Sequence, residues 1–271
     1  MITSSWLKQA QADLGAAEIS TARLDCLVLL EDEIGKDRAW ILSHPEYELQ
    51  IEIVQKLNKR ITQRALHEPL AYIRGKSEFY GREFYVDGHV LVPRPESEMI
   101  IDLLKQLALP SDSVVADIGT GSGALAITAK LELPYTRVIA TDIEPACLNI
   151  AKQNALKLHA DIQVLQGDLL EPLSTLSDHP IVLLCNLPYV PDGFPVNQAA
   201  AHEPRTALFG GTDGLDMYRR LFGQIEALPT EPSFILTEAM PAQHEDLSKL
   251  AHIIGFILQA NKDFVQVFRQ A

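Results

Sequence analysis

Val114-Val115-Ala116-Asp117-Ile118-Gly119-Thr120-Gly121-Ser122-Gly123-Ala124 decides the fold. The first five residues are mostly apolar in an unbroken run, the pattern of a strand buried on both faces. The glycines that follow permit positive φ and let the main chain approach a ligand closely. A helix is expected from there to about Lys130. The next strand ends in Ala140-Thr141-Asp142, which sets an acidic side chain about 20 residues beyond the glycines. Working outward, apolar strands are expected at Val114–Ile118, Arg137–Thr141, Ile162–Leu165, Ile181–Cys185 and Phe234–Thr237, with helical segments between most of them. That alternation predicts an α/β fold whose parallel sheet is covered on both faces. Ligands of such sheets bind at the carboxyl ends of the strands.

Upstream the texture differs. Trp6, Leu7, Ala10 and Leu14 recur at helical spacing, as do Leu24, Leu27 and Val28, and then Ile51, Val54, Leu57 and Ile61 within Glu48 to Ala65. Residues 1–75 are therefore expected to form a small helical domain, with Trp6 and Trp40 in its core. Ser77 to Val86 alternates and is rich in aromatics, with Gly81 and Asp87-Gly88 as turns, so residues 76–95 read as a β-hairpin linker. Residues 96–271 form the α/β domain.

Composition excludes several classes. Of 271 residues, 47% are hydrophobic and 22% charged, too apolar for a chain disordered over most of its length. No apolar run approaches the ~18 residues that span a bilayer. The N-terminus lacks a basic stretch followed by an apolar one, and with Cys26, Cys147 and Cys185 far apart this points to a reducing, cytoplasmic setting. The scattered histidines and cysteines offer no metal-ligand spacing. The net charge of −13 argues against a protein that grips a phosphate backbone. Residues 1–75 hold 9 basic and 11 acidic side chains, so the acidity belongs mainly to the remainder.

The loop Gly119, Thr120, Gly121, Ser122, Gly123 with Asp142 suits an adenosine-containing cofactor, Asp142 accepting from the ribose hydroxyls. Gly119-x-Gly121-x-x-Ala124 also satisfies a dinucleotide fingerprint. S-adenosylmethionine is favoured because Asp117 suits a cationic amino-acid end better than a pyrophosphate. The second reason is Asn186-Leu187-Pro188-Tyr189, which follows the strand Ile181–Cys185 and meets the same crevice. A planar amide or aromatic-amine nitrogen is a poor nucleophile because its lone pair is delocalised. The Asn186 side-chain oxygen and a nearby main-chain carbonyl can accept its hydrogens, orient it and enrich it in electron density. Pro188 stiffens the turn and Tyr189 offers an aromatic face to a planar group.

With Glu68-Pro69-Leu70-Ala71-Tyr72-Ile73, Glu78-Phe79-Tyr80-Gly81, Pro93-Arg94-Pro95-Glu96-Ser97-Glu98 and Glu203-Pro204 through Gly214-Leu215, the chain resembles the peptide chain release factor N5-glutamine methyltransferases, the HemK/PrmC family. The resemblance covers nearly the whole chain. It implies a Rossmann-like class I methyltransferase domain of seven strands behind a helical domain. It implies methyl transfer from S-adenosylmethionine to the glutamine of the Gly-Gly-Gln motif in class 1 release factors, a modification that tunes translation termination. Gly119 to Gly123 and Asp142 would hold the cofactor, with Asp168 and Leu169 beside the adenine. Asn186, which would also touch the cofactor, would bind the target glutamine together with Leu187, Pro188 and Tyr189, and Asn186, Pro188 and Tyr189 would carry the catalysis. Arg94 would lie near the methyl-transfer channel, either touching substrate or paired with a glutamate. Four positions depart from the family pattern. Leu187 stands where the family has a second proline, and Ser97 where it has threonine. Leu169 replaces an aromatic residue, so adenine stacking is lost. The ending Asp263 to Arg269 is short, which predicts a clipped last strand pair.

Three rivals remain at this level. An N6-adenine methyltransferase shares the tetrapeptide chemistry, but would need to extract a base and track phosphates, against the acidity of the catalytic part. A glutamine methyltransferase acting on a ribosomal protein differs only in partner. A cofactor-binding module that has lost turnover would accord with Leu187 but not with the retained Asn186 and Tyr189. Neither membrane nor nucleic acid is expected as a partner.

Overall fold

The N-terminal periodicities fold as helices because each has one apolar stripe to bury. The computed structural model describes residues 1–110, 112–174 and 181–271. Met1–Gly75 and Val196–His202 form one unit. Its helices are α1 (Thr3–Ala16), α2 (Ala22–Ile34), α3 (Arg38–Ser43), α4 (Ile51–Ala65) and α5 (Leu70–Arg74). Trp6, Leu14, Leu29, Leu30 and Leu57 fill the core. The Trp6 indole donates to Asn58 Oδ1 at 2.9 Å, which satisfies its buried N–H. Arg64 and Asp25 pair at 2.7 Å between α4 and α2. Trp40 is half-buried and stacks on His44. Leu24 and Ile51 lie exposed, so the apolar stripe of α4 begins at Ile53 and Val54 rather than at its first residue.

Lys76–Pro195 and Glu203–Ala271 form the second unit. It opens with the hairpin β1 (Lys76–Phe79) and β2 (Arg82–Tyr85), turned by Tyr80 and Gly81, both at positive φ. Phe79 and Phe84 point inward and meet edge to face, and the Tyr85 N–H donates to Asn154 Oδ1. The hairpin is thus part of this unit's core.

Then follow α6 (Glu98–Leu104), β3 (Val114–Ile118), α7 (Ala124–Glu132), β4 (Arg137–Asp142), α8 (Pro145–Lys157), β5 (Gln163–Gln166) and β6 (Ile181–Cys185). The unit closes with α9 (Arg205–Leu208), α10 (Asp216–Ile225), β7 (Pro232–Glu238), α11 (His244–Ile253), β8 (Phe256–Lys262) and β9 (Val265–Gln270). The sheet order is β5-β4-β3-β6-β7-β9-β8, with β9 antiparallel to both neighbours. Every residue of β3 and β6 is buried. Val114, Ala116 and Ile118 enter one core layer and Val115 the other, as a strand covered on both faces requires. Strand order reverses between β3 and β6, so a crevice opens above their carboxyl ends.

The last strand pair is complete, contrary to the expectation of a clipped ending. β9 inserts between β7 and β8 and buries Val265, Gln266, Val267 and Phe268. Its partner β8 is the sheet edge and mostly exposed, so it carries little apolar signal to read from sequence.

Candidate active site

The glycine loop and the tetrapeptide converge at the β3/β6 crevice. Gly119, Gly121 and Gly123 have φ of +71°, +54° and +81°. A Cβ on Gly123 would stand 2.9–3.2 Å from Ile127 and Ala151, so this glycine lets the loop pack onto its helices. At Gly121, by contrast, a Cβ would meet nothing within 4 Å among the described residues. Asp142 Oδ2 accepts from the Gly121 N–H at 2.9 Å and Oδ1 from the Glu144 N–H at 3.0 Å. Burial raises the Asp142 carboxyl above its ordinary value.

Asp117 lies beneath the loop. Its Oδ2 accepts from Thr120 Oγ1 at 2.5 Å and from the Ala126 N–H at 3.1 Å, tying the turn to α7. Burial pushes its carboxyl up to about 7, against those two donors. The residue read as facing the cofactor therefore also holds the loop in shape.

A cavity of about 430 Å³ opens here, within the ~300–1,000 Å³ usual for small-molecule sites. Gly119, Thr120, Gly121, Ser122, Asp142, Asp168, Leu169, Asn186, Leu187, Pro188 and Arg94 all line it. Two expected residues stand behind the wall. Gly123 caps α7, and Tyr189 turns its hydroxyl to Glu238 Oε1 at 3.0 Å. Burial and the Glu238 carboxylate push the Tyr189 phenol well up, so it stays protonated. Leu187 is 2% exposed and packs under Gly119, which explains how a bulky residue is accommodated in the turn.

The tetrapeptide is braced from behind. A Cβ on Gly210 would fall 2.2 Å from the Pro188 carbonyl, so only glycine allows that approach. Gln243 Nε2 donates to both the Tyr189 and Asp213 carbonyls at 2.8 Å. Asn186 Nδ2 donates to Ser97 Oγ at 2.8 Å. Arg94 pairs with Glu203 at 2.5 Å, and Glu203 also accepts from the Val92 N–H. Of the two readings of Arg94, an ion pair is therefore realised while the residue still lines the cavity. Asp168 pairs with Arg220 at 2.5 Å, and Leu169 sits at φ +53° with its carbonyl accepting from Thr141 Oγ1. Cys147 is also on the wall, but burial pushes its thiol up to about 12 and leaves it no nucleophile.

Glu238 and Gln243 belong to no motif in the sequence. The available signal was Thr237-Glu238, two polar residues ending an otherwise apolar strand at the ligand-binding edge.

The residues fit an adenosine cofactor with a cationic end. The loop supplies an approach free of side chains at Gly121, and Asp142 and Asp117 supply carboxylates on the wall. The fold is similar to that of a methyltransferase from Pyrococcus furiosus, with a TM-score of 0.51 at 15% identity, covering 79% of this chain and 99% of that one. The fold is thus that of a methyltransferase domain, with a cavity that suits an adenosine-containing cofactor. Residues 5–75 match the PrmC N-terminal domain family, and residues 95–187 match the ribosomal protein L11 methyltransferase (PrmA) family. A release factor glutamine methyltransferase of Moorella thermoacetica is 36% identical over 92% of this chain and 89% of its own. One of Koribacter versatilis is 37% identical over 78% and 77%. The chain belongs to the release factor glutamine methyltransferase family.

Proposed function

We propose that this enzyme methylates the side-chain amide nitrogen, N5, of the glutamine in the Gly-Gly-Gln motif of class 1 release factors in the cytoplasm. The observation that carries this reading is the Asn186 amide. Its Nδ2 is committed to Ser97, which leaves Oδ1 to accept a hydrogen from a planar NH₂ group at the cavity wall. Bound at the glycine loop, S-adenosylmethionine supplies an electrophilic methyl group. Gly119 to Ser122 would cradle it, Asp142 would take its ribose hydroxyls, and Asp168 and Leu169 would flank its base.

The chain's own work is positioning and electrostatics. Asn186 Oδ1 orients the amide nitrogen and stabilises the positive charge that grows on it during attack. Pro188 holds the turn rigid, and Tyr189 supports it from behind through Glu238. Leu187 and Arg94 border the channel for the glutamine. The helical unit, matching the PrmC N-terminal domain, would read the protein partner. The acidic catalytic part suits a basic, RNA-reading protein.

A ribosomal-protein substrate is the second reading, supported by the match to the L11 methyltransferase family over residues 95–187. That segment holds the shared catalytic strands, whereas relatives matching most of the chain are named for release factors. The deciding experiment supplies labelled S-adenosylmethionine with a purified release factor or ribosomal protein and maps the modified residue by mass. One methyl on the Gly-Gly-Gln glutamine is expected. Label only on the ribosomal protein would overturn the release-factor reading.

A further inference from the structure

Glu238 is a buried carboxylate for which methyl transfer as described has no direct use. It closes β7, is 1% exposed, and neighbours the end of β6 that carries Asn186. Its Oε1 accepts from the Tyr189 hydroxyl, while Oε2 is buried with no hydrogen-bond donor assigned to it among the described residues. An ionised oxygen in that state is costly unless a proton donor stands near. Ser97 and Asn186 both lie against this carboxylate and oppose the effect of burial on it. Ser97 is itself 3% exposed, and its Oγ accepts from Asn186 Nδ2 at 2.8 Å. A hydroxyl that accepts from an amide still has its own hydrogen to give. Asn186 Nδ2 thus donates to the Ser97 hydroxyl, which keeps its own hydrogen for the adjacent Glu238 Oε2, while Tyr189 donates to Oε1.

This direction matters because an asparagine amide is nearly symmetrical in shape. Turned by half a rotation, Asn186 would aim N–H groups at the substrate nitrogen and oppose it. We propose that Ser97 and Glu238 are positioning residues that lock Asn186 with Oδ1 toward the substrate, the carboxylate polarising the chain so that Oδ1 accepts more strongly as charge develops. The proposal rests on the preceding reading of Asn186. Polarisation along such a chain strengthens each bond in a low-dielectric interior.

The groups facing Glu238 come from several elements. Tyr189 donates to its carboxylate, and the Tyr218 hydroxyl of α10 lies 2.5 Å from its main-chain oxygen. Glu96, ahead of α6, adds like charge, and His244 at the start of α11 bonds the neighbouring Ala239 carbonyl. Burial and Glu96 hold the Glu238 carboxyl above the ordinary range. The ionised form that polarises Asn186 is therefore lost toward acid pH.

The test compares wild type with Ser97→Ala, Ser97→Thr and Glu238→Gln, using S-adenosylmethionine and a purified release factor. Ser97→Ala should lower kcat roughly 10-fold or more, short of the ~100-fold and larger losses seen when a direct transition-state contact goes. Its KM for S-adenosylmethionine should not move. Ser97→Thr, which keeps the hydroxyl, should retain turnover. Glu238→Gln should lower kcat and abolish the acid limb of its pH profile. Wild-type kcat in both Ser97→Ala and Glu238→Gln overturns the proposal, as does a threonine variant that falls as far as the alanine one. Ser97→Ala removes a single oxygen, so it decides the matter if Glu238→Gln does not fold. A wild-type enzyme that methylates no release factor overturns the underlying reading and the proposal with it.

Discussion

Asp142 and Gly121, 21 positions apart in sequence, are joined by a hydrogen bond of 2.9 Å from the loop N–H to the carboxylate. The acid expected to read a ribose thus also pins the loop proposed to hold the cofactor. Asp142→Ala should weaken S-adenosylmethionine binding roughly 10–100-fold, the worth of a hydrogen bond to a charged group. Calorimetry giving wild-type affinity would refute this assignment.

Asn186 should behave oppositely. Its amide is assigned to the transition state, so Asn186→Ala should leave cofactor affinity near wild type and lower kcat about 100–1,000-fold. An unchanged single-turnover rate would remove Asn186 from the chemistry.

Arg94 and Glu203 pair with the carboxylate 2% exposed and the guanidinium 35% exposed. Arg94→Ala strands a buried carboxylate and should destabilise the fold by about 1–3 kcal/mol, the lower end applying because solvent reaches the arginine. Denaturant unfolding measures it. Unchanged stability combined with lost turnover would make Arg94 a ligand contact rather than a strut.

Asp117 makes stability depend on pH. Burial raises its folded-state carboxyl to about 7, above the unfolded value, so the native state holds the proton more tightly. Its contribution is complete below the ordinary carboxylate range and is lost as pH climbs through about 7. Asp117→Asn keeps an acceptor for Thr120 and Ala126 and should flatten the fall in thermal midpoint across that window. Parallel pH profiles for variant and wild type would contradict this.

Charge steering supplies a kinetic prediction. Outside residues 1–75 the chain holds 25 acidic against 14 basic side chains. If they guide a basic partner, kcat/KM for the release factor should fall as salt rises from low to physiological levels, while kcat stays level. A salt-independent kcat/KM would dispose of steering.

The parts of this protein legible from sequence are those in which local pattern and burial agree. β6 is a continuous apolar run, and β3 one broken only by Asp117, because both faces are covered, and the glycines after β3 are needed where the turn takes positive φ. β8 was illegible because an exposed edge strand need not be apolar. Leu24 and Ile51 fit a helical apolar spacing yet lie on exposed positions of their helices, because spacing alone does not say which residues of a stripe meet a neighbour.

The α/β architecture, the glycine loop after β3 and the Asn186 tetrapeptide are written in the sequence, since each is a contiguous segment whose residue types are demanded by backbone conformation or chemistry. The tertiary structure alone decided what surrounds them. Ser97, Glu238, Arg94 with Glu203, and Gln243 lie in segments far apart along the chain, and they meet at the site only through the packing of the segment before α6 and the loops after β6 and β7 around the crevice. A buried polar side chain is tolerated only where partners satisfy it, and those partners are set by packing rather than by spacing.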